Sequence, residues 1–251
     1  MKIAQLTDLH IGRAGSPTFQ TDVRGNFLNV LALLRQADPD YLVVTGDLCF
    51  RDPDPDVCHW VRAQLEGLAL PYDLISGNHD DPVMLAEIFE RQALLHGEEL
   101  YFVRELNGHP LLFLDTTTGL VSQPQLDWLE QQLVERSQEE VLVFMHHPPV
   151  YGGVPYMDEH YALQNREAVQ QLFFRHGAPI RVFTGHYHVD KVIQRRNTTV
   201  YITPACFFQI DQHSPSFAVD HRRPGLRIIE LEEDRLLSTV HYAEALPLLE
   251  E

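Results

Sequence analysis

Short apolar runs alternate with longer stretches of helical period along the first three quarters of the chain. Continuous apolar runs predict buried strands, and a 3.6-residue period predicts helices. The predicted strands are Lys2–Thr7, Tyr41–Thr45, Tyr72–Ile75, Val141–Met145 and Ile180–Thr184. The predicted helices are Asp22–Arg35, Val57–Leu68, Pro82–Leu94, Gln123–Arg136 and Tyr161–His176. Strands that alternate with helices are typical of α/β proteins with parallel strands.

Two regions depart from this alternation. Leu100–Leu106 and Leu111–Asp115 are predicted strands joined at Asn107-Gly108, a dipeptide typical of a type I′ hairpin. The segment Pro148–His160 is predicted as one long loop, and loops of that length inside a compact domain are usually functional or mobile.

The last quarter of the chain consists of short β-type runs separated by turn residues, which favours antiparallel pairing. The runs are Lys191–Gln194, Thr199–Ile202, Cys206–Ile210, Arg227–Leu231 and Leu236–His241. The element order predicts an α/β fold, a four-layer α-β-β-α sandwich of two mixed sheets flanked by helices. We expect residues 1–251 to form one domain, with C-terminal strands at about residues 190–242 completing the second sheet.

Polar clusters follow directly after five of the predicted strands. In open α/β sheets the carboxyl ends of strands are where ligands bind. The clusters are Asp8-Leu9-His10, Gly46-Asp47, Gly77-Asn78-His79-Asp80, His146-His147-Pro148-Pro149 and Gly185-His186-Tyr187-His188. Carboxylate, amide and imidazole groups in these places predict a metal site.

Seven side chains in these clusters can donate metal ligands. They are Asp8, His10, Asp47, Asn78, His146, His186 and His188. The set is too rich in nitrogen for calcium or for magnesium alone, and it suits zinc, manganese, iron or cobalt. Seven ligands are too many for one ion with an open position. They suit two ions about 3.5–4 Å apart, bridged by a carboxylate and a hydroxide, a pair that activates water and holds phosphoryl oxygens.

Each of these residues also has a simpler explanation when it is taken alone. Asp8 and Asp47 suit turns or helix caps, and Asn78 after Gly77 suits a tight turn. His186 and His188 would fit a solvated edge of the protein. Their joint occurrence at successive strand ends favours the metal site.

Charge and cysteine content narrow the class of protein further. The formal net charge is −17, which disfavours a broad nucleic-acid or membrane-binding face but allows a small phosphate ester beside bound metal. Cys49, Cys58 and Cys206 form no metal-binding motif and are expected as buried free thiols in a reducing compartment. The N-terminus resembles no signal peptide, and no apolar run approaches the roughly 20 residues of a membrane span. We expect a soluble cytoplasmic protein.

The five motifs in this order resemble the calcineurin-like metallophosphoesterase family, over a region from about Lys2 to His188. The resemblance implies the metallophosphoesterase fold and a first metal held by Asp8, His10, Asp47 and His188. It implies a second metal held by Asp47, Asn78, His146 and His186, with Asp47 bridging. His146 is expected as the ligand rather than His147, because the family ligand precedes one residue and then proline.

The resemblance also implies roles for the side chains that meet the substrate. His79 is expected as the catalytic residue, contacting the phosphate and protonating the leaving oxygen. Asn78, His79 and His186 are expected to contact the substrate. The cofactors are expected to be two divalent transition-metal ions, iron or manganese, with zinc and cobalt as alternatives.

The substrate class depends on the branch of the family. In Gly46-Asp47-Leu48-Cys49-Phe50-Arg51-Asp52, Phe50 and Asp52 depart from the protein phosphatase pattern. The motifs are similar to those of bacterial class III cyclic nucleotide phosphodiesterases and of glycerophosphodiesterases. The tail Thr203–Gln209 and the segment Pro224–Arg227 resemble the cyclic nucleotide group more, and the long C-terminal extension expected of glycerophosphodiesterases is absent.

We therefore expect hydrolysis of small phosphodiesters, first 3′,5′-cyclic nucleotides such as cyclic AMP, by attack of a metal-bridging hydroxide. A glycerophosphodiesterase or a broad-specificity phosphodiesterase is the alternative, and an inactive binding scaffold is a lesser one. The sequence leaves open whether the chain forms a homodimer or a higher homo-oligomer.

Two loops are expected to read the leaving group. One is the Pro148–His160 loop, with Tyr151, Tyr156 and Met157, and the other is the Arg51–Asp56 loop. An aromatic residue of the first loop could stack on a nucleobase, or the same tyrosines could close the loop or pack a subunit interface. Arg13 could touch phosphate or lie on the surface.

Overall fold

The computed structural model describes residues 1–16 and 18–244. The helices are α1 (Val23–Ala37), α2 (Pro55–Glu66), α3 (Pro82–Ile88), α4 (Gln123–Glu135), α5 (Pro155–His160) and α6 (Arg166–Arg175), with a 3₁₀ turn at Gln92–Leu94. The strands are β1 (Lys2–Leu6), β2 (Tyr41–Thr45), β3 (Tyr72–Ile75), β4 (Leu95–His96), β5 (Glu99–Leu100), β6 (Phe102–Leu106), β7 (His109–Leu114), β8 (Val141–Met145), β9 (Ile180–Thr184), β10 (Lys191–Arg195), β11 (Thr198–Ile202), β12 (Gln209–Ile210), β13 (Val219–His221), β14 (Gly225–Leu231) and β15 (Leu236–Tyr242).

Two mixed sheets carry the architecture of the described residues. One has the strand order β15-β14-β1-β2-β3 and the other has the order β10-β11-β9-β8-β7-β6. β1, β2 and β3 run parallel, as do β7, β8 and β9, so the carboxyl ends of these strands share one edge in each sheet. The predicted α/β fold, with mixed sheets flanked by helices, is confirmed.

A buried glutamine ties the two sheets together near those edges. Gln5 is fully buried in β1, and its Nε2 donates to Thr45 Oγ1 at 2.9 Å and to the Thr184 carbonyl, in the other sheet, at 3.2 Å. Thr203 Oγ1 donates to Gln5 Oε1 at 2.6 Å. Buried polar groups need such partners, so this network fixes how the two sets of strand ends face each other.

An aromatic ladder crosses the six-stranded sheet, with one ring on each of the neighbouring strands β6, β7, β8, β9 and β11. Its members are Phe102, Phe113, Phe144, Phe183 and Tyr201, which lie opposite one another in the strand register. Neighbouring rings stack with centroids 4.4, 5.3, 5.3 and 4.8 Å apart. Because strands are regularly spaced, cross-strand pairing brings flat faces into contact and stabilises the sheet.

Three helices begin with the same local signal. Asp54, Asp81 and Ser122 cap α2, α3 and α4, and each is followed by a proline in the first helical turn. The cap side chain accepts an otherwise unpaired backbone N–H, and proline has no N–H to leave unpaired. At α4 the Ser122 Oγ accepts from Gln125 N. These signals place each helix start just after a strand or loop that leads to the site.

The C-terminal strands are divided between both sheets, which corrects the expectation that they complete only the second one. β10 and β11 join the six-stranded sheet, whereas β14 pairs antiparallel with β1 and β15 pairs with β14. β2 and β3 extend from one side of β1, so its other edge would leave buried backbone groups unpaired without β14. The predicted antiparallel pairing is confirmed between β10 and β11, but β11 also pairs with β9, to which it runs parallel.

Other boundaries differ from the predictions in specific places. The predicted helix Pro82–Leu94 ends at Ile88, and the predicted helix Tyr161–His176 begins at Arg166. The predicted strand Cys206–Ile210 is reduced to β12. The Asn107-Gly108 hairpin is confirmed, since both residues have positive φ and Leu106 pairs with His109. None of the helices in the described part of the chain is long and apolar enough to span a bilayer.

The predicted loop Pro148–His160 is wrong in its second half, which forms α5. Proline at the first turn starts this short helix. The Asp158 carboxylate accepts backbone N–H groups of Gly152, Gly153 and Val154 at 2.7–3.1 Å, so it also fixes the preceding turn. The segment is therefore an ordered wall beside the strand ends.

Candidate metal centre

Five of the predicted ligands have a left-handed backbone, immediately after the strands. The φ angles are 53° at Asp8, 45° at His10, 53° at Asp47, 68° at His186 and 51° at His188. For residues with a Cβ this conformation is unfavourable by about 1–3 kcal/mol each, and such residues cluster at functional sites. The strand ends thus bend sharply, which turns these side chains toward one another.

Asp8 has one oxygen held by the protein and one without a hydrogen bond. Its Oδ2 accepts from Thr7 Oγ1 at 2.7 Å and from His186 N at 2.9 Å. Its buried Oδ1 accepts no hydrogen bond and lies 3.2 Å from His188 Nε2. A buried carboxylate oxygen without a donor is costly, and a cation beside it would satisfy it.

Asp47 repeats this division at the end of β2. Its Oδ1 accepts from His79 N at 2.9 Å. Its Oδ2 lies 3.5 Å from His10 Nε2 and 3.3 Å from His146 Nε2. A single carboxylate oxygen therefore faces imidazoles of both halves of the cluster, which is the geometry that a bridging ligand requires.

Three of the imidazoles each have one ring nitrogen hydrogen-bonded to a backbone carbonyl. The contacts are His146 Nδ1 to Thr45 O at 2.8 Å, His188 Nδ1 to Phe208 O at 3.0 Å, and His186 Nε2 to Tyr161 O at 3.0 Å. Because a carbonyl only accepts, the bonded nitrogen carries the proton. The other ring nitrogen then presents a lone pair, as in metal-binding histidines.

The ligand atoms converge into neighbouring groups. Within each group the donor atoms lie within 4.8 Å of one another: Asp8, His10 and His188; Asp47, His146 and His186; and His10, Asp47 and His79. His10 Nε2 and His188 Nε2 are only 3.1 Å apart, and the buried Nδ1 of His10 has no partner. Nitrogen and carboxylate donors that face each other at this spacing fit two transition-metal ions.

Asn78 lies at the edge of these groups and His147 lies outside them. Asn78 Oδ1 lies 3.2 Å from His146 Nε2, at the edge of the second group. His147 is in none of the groups, and its Nδ1 forms a 2.8 Å hydrogen bond with Thr116 Oγ1. The geometry therefore brings His146, and not His147, together with the carboxylates.

Burial and charge set the protonation of the cluster. Burial raises the pKa of the Asp47 carboxyl, but His146 and His10 together leave that pKa well below its usual value. Burial lowers the pKa of His10 to about 4 and that of His186 to about 3, so both rings are neutral at pH 7. Burial opposes a charge on His146, yet Asp47 and Asp8 raise its pKa to about 9.

Asp80 positions the loops that carry Asp47 and Asn78, a role that the sequence analysis did not assign. Its carboxylate accepts from Leu48 N and Gly77 N at 3.0 Å and from Cys49 N at 3.1 Å. Gly77 allows the loops that carry Asp47 and Asn78 to approach this closely, because a Cβ at position 77 would lie 2.2 Å from Asp47 Oδ1. The sequence signal for this role was Asp80 itself, the last residue of the Gly77–Asp80 motif, to which no function was assigned.

His79 is half-buried beside the cluster. Its Nδ1 hydrogen-bonds to the Arg51 carbonyl at 2.7 Å, which leaves Nε2 for proton exchange or ligation. A nitrogen of its ring also lies within the group formed with His10 and Asp47. Distance alone therefore allows both a catalytic and a ligand role for His79.

A cavity of about 400 Å³ opens over these groups. His10, Asp47, Asn78, His79, His186 and His188 line one side. Tyr156 and Met157 line it as predicted, but Tyr151 hydrogen-bonds to Arg166 outside it. Arg51 also lines the cavity, whereas Arg13 forms an ion pair with Asp54.

Another part of the cavity lining is aromatic. It is formed by Phe19, Phe50, Phe207, Phe208 and Phe217. The sequence analysis gave these rings no role. Phe207 and Phe208 lie in the tail segment that carries the resemblance, which was a signal for two of them. Phe19 and Phe217 lie in irregular loops where no periodic pattern marks them.

Residues 1–190 match the calcineurin-like phosphoesterase family. The chain belongs to that family. This membership confirms the predicted resemblance. It also confirms the predicted class of enzyme, a metal-dependent hydrolase of phosphoesters.

Relatives of this calcineurin-like phosphoesterase have names from both predicted branches. The chain is 33% identical over 243 residues to a protein named "probable cyclic nucleotide phosphodiesterase" from Fibrobacter succinogenes, with 97% of this chain and 94% of the relative covered. It is 28% identical over 266 residues to a glycerophosphodiester phosphodiesterase from Enterobacter lignolyticus, with 97% and 93% covered. That coverage leaves no long C-terminal extension in the second relative. The length argument for cyclic nucleotides was therefore wrong.

A solved structure confirms the fold of this calcineurin-like phosphoesterase. The crystal structure of a dimetal phosphatase from Danio rerio superposes with a TM-score of 0.72 over 96% of each chain, at 16% identity. At that identity the likeness concerns the fold alone.

Proposed function

We propose that the protein is a binuclear metal-dependent phosphodiesterase of small molecules. Its preferred substrates are 3′,5′-cyclic nucleotides such as cyclic AMP. Glycerophosphodiester or broad-specificity hydrolysis is the alternative. The observation that carries the proposal is Asp47 Oδ2, which faces His10 and His146 beside a cavity lined by both polar and aromatic side chains. The names of the two relatives support the diester class.

The proposed ligands follow the converging groups. Asp8, His10, Asp47 and His188 would hold one ion, and Asp47, Asn78, His146 and His186 would hold the other. The mixture of imidazole and carboxylate suits iron or manganese, with zinc and cobalt as alternatives. When bound, such a pair of ions lowers the pKa of a water molecule and stabilises charge on phosphoryl oxygens.

The side chains around the ions would orient the ester and move its proton. Asn78, His79 and His186 line the cavity and would contact the phosphate. The Nδ1 of His79 is held on the Arg51 carbonyl, so Nε2 is the atom that would donate a proton to the leaving oxygen. The ordered α5 wall, with Tyr156 and Met157, would exclude water from one side.

The aromatic side of the cavity favours a nucleotide over a glycerol ester. A nucleobase has a π face that stacks on aromatic rings, whereas a glycerol group has none. A cavity of about 400 Å³ is within the range of small-molecule sites. A small phosphodiester as partner and a cytoplasmic location remain part of this proposal.

The substrate class is tested by comparing esters on one manganese-loaded preparation. The substrates are cyclic AMP, bis(p-nitrophenyl) phosphate and glycerophosphocholine. We expect the highest kcat/KM for cyclic AMP. A higher value for glycerophosphocholine, or turnover of the synthetic diester alone, would replace the cyclic nucleotide proposal with the alternative.

The role of His79 is tested by His79→Ala with His213→Ala as an exposed control. General acid catalysis contributes about 10²–10⁴-fold, so we expect a loss of that order while both metals stay bound. Metal content is measured on the same samples as turnover. If metal and activity fall in parallel, His79 is a ligand and the catalytic assignment is wrong.

A further inference from the structure

Two exposed phenylalanines stand at the mouth of the cavity, and we call Phe19 and Phe217 the aromatic rim. Their side chains are 50% and 44% exposed, whereas Phe207 and Phe208 beneath them are 2% and 4% exposed. Exposed rings grouped in this way are unfavourable in water and mark ligand sites when they border a cavity. The rim is thus the accessible part of an aromatic wall.

Ring contacts connect the rim to the candidate metal centre. His10 contacts Phe207 with centroids 5.2 Å apart, and Phe207 contacts Phe208 at 4.1 Å. Phe208 in turn lies 5.9 Å from Phe19 and 5.8 Å from Phe217. A nucleotide whose phosphate lies at the metal groups would therefore extend its base along this wall.

Neither rim ring is stacked face to face on a neighbouring ring. Phe19 and Phe217 are tilted by 43° at a centroid distance of 6.2 Å, and Phe208 meets Phe19 at 85° and Phe217 at 69°. In such tilted and edge-on contacts the rings do not stack on one another. A planar ligand can then stack on the exposed part of a rim ring, where no protein ring is already stacked in parallel.

The loop that carries Phe19 is held in place by hydrogen bonds. Phe19 has a left-handed backbone with φ 49°. Its carbonyl accepts from Thr21 Oγ1 and from Arg222 Nη1, both at 3.2 Å. Arg222 Nη1 also donates to Thr21 Oγ1 at 2.9 Å. This pinned, unfavourable backbone keeps an apolar ring over the cavity, which reduces the entropy lost on binding.

We propose that the aromatic rim is the base-binding and specificity-determining part of the site, where Phe19 and Phe217 stack on a nucleobase. This inference rests on the proposed function and extends it to particular residues. Neither ring touches the metal groups, so the rim selects for the base and takes no part in the reaction at phosphorus.

The test measures binding rather than turnover. The dissociation constants of AMP and of ribose 5-phosphate are determined on manganese-loaded protein by calorimetry. The two ligands share the phosphate and the sugar, and only AMP has a base. We expect AMP to bind about tenfold more tightly, because stacking contributes about 1–3 kcal/mol per base.

Substitutions locate the effect. Phe19→Ala and Phe217→Ala should each weaken AMP binding by about tenfold and leave ribose 5-phosphate unchanged. Phe19→Leu and Phe217→Leu keep the apolar bulk, so we expect both variants to fold. They should lose part of the preference for AMP, whereas Phe217→Tyr should retain it. The matched control is Phe174→Ala, a half-buried phenylalanine beside Arg196 outside the cavity.

The outcomes separate this inference from the proposed function. If cyclic AMP is hydrolysed but AMP binds no better than ribose 5-phosphate, the rim proposal is overturned and the function stands. The same holds if the rim variants weaken both ligands equally. If AMP binding depends on the rim but cyclic AMP is not hydrolysed, the rim stands and the proposed substrate is wrong.

Discussion

The aromatic ladder and the aromatic rim use the same residue type in opposite ways. In the ladder, neighbouring rings are nearly parallel, with interplanar angles of 12°, 18°, 22° and 11°. At the rim they are tilted or edge-on, and about half of each ring is exposed. Regular strands repeat one geometry and cover every face, while loops place each ring separately. Parallel stacking in the buried ladder stabilises the fold, and the exposed part of the rim rings remains available to a ligand.

The largest expected effect is on the ladder. Phe144→Ala removes the central, fully buried ring and leaves a cavity between Phe113 and Phe183. We expect the free energy of unfolding to fall by about 3–5 kcal/mol. Urea unfolding measures this value, with Phe174→Ala as the control. If the free energy of unfolding falls by less than about 1 kcal/mol instead, the ladder is not a stabilising core.

The next effect is on the site and should leave the ladder intact. Asp47→Asn keeps Oδ1 for the His79 N–H but removes the charge that both metal groups face. Losing a side chain that only hydrogen-bonds to a metal ligand typically costs about 10–100-fold, so for a carboxylate shared by both metal groups we expect at least about a hundredfold drop in turnover of bis(p-nitrophenyl) phosphate. The control is Asp234→Asn, an exposed carboxylate between β14 and β15. Near-normal turnover of Asp47→Asn would contradict the binuclear assignment.

Metal removal should destabilise the protein by an intermediate amount. The proposed ligands come from both sheets, with Asp8 and Asp47 from one and His146 and His188 from the other. Ions that bind only the folded state add about 2.7 kcal/mol at a concentration of 100 times Kd. We expect chelation to lower the urea midpoint accordingly. The stability lost on chelation should be as large in Phe144→Ala as in the unchanged protein and smaller in Asp8→Asn. Equal losses in both variants would show that Asp8 is not a ligand.

The smallest expected effect on stability is at the rim. Phe217→Ala removes a ring that is 44% exposed, so the free energy of unfolding should change by about 0.5 kcal/mol or less. The same urea series measures it beside Phe144→Ala. A loss as large as that of Phe144→Ala would mean that the rim is core, and the contrast between the two clusters would disappear.

Local patterns were enough to predict the strands that carry the site. A buried run such as Tyr41–Thr45 or Val141–Met145 is apolar throughout, and the first polar residues after it mark its carboxyl end. Metal chemistry then limits which of those residues can act together. The placement of Asp8 beside Asp47 follows from parallel strands that share an edge, whereas His146 comes from the other sheet and joins them through the way the two sheets face each other.

What local patterns could not supply was the choice of distant partners. The run Arg227–Leu231 indicates a strand, but nothing within it specifies pairing with β1 rather than with the other sheet. The short helix α5 depends on Asp158 reaching back to Gly152 and Gly153. Phe19 and Phe217 acquire their role only because separate loops meet over the cavity.

The position of β1 between β2 and β14 has a consequence for synthesis on the ribosome. β1 is made first and can pair with β2 early, but its second neighbour is made near the end of the described chain. The Met1 amino group donates to the Leu231 carbonyl at 2.9 Å, across 230 residues of sequence. Pairing over such separations is slow, and an open strand edge invites contact with other chains. That edge of β1 stays open until β14 has been synthesised, so completion of the first sheet, and with it the setting of Asp8, must wait for β14.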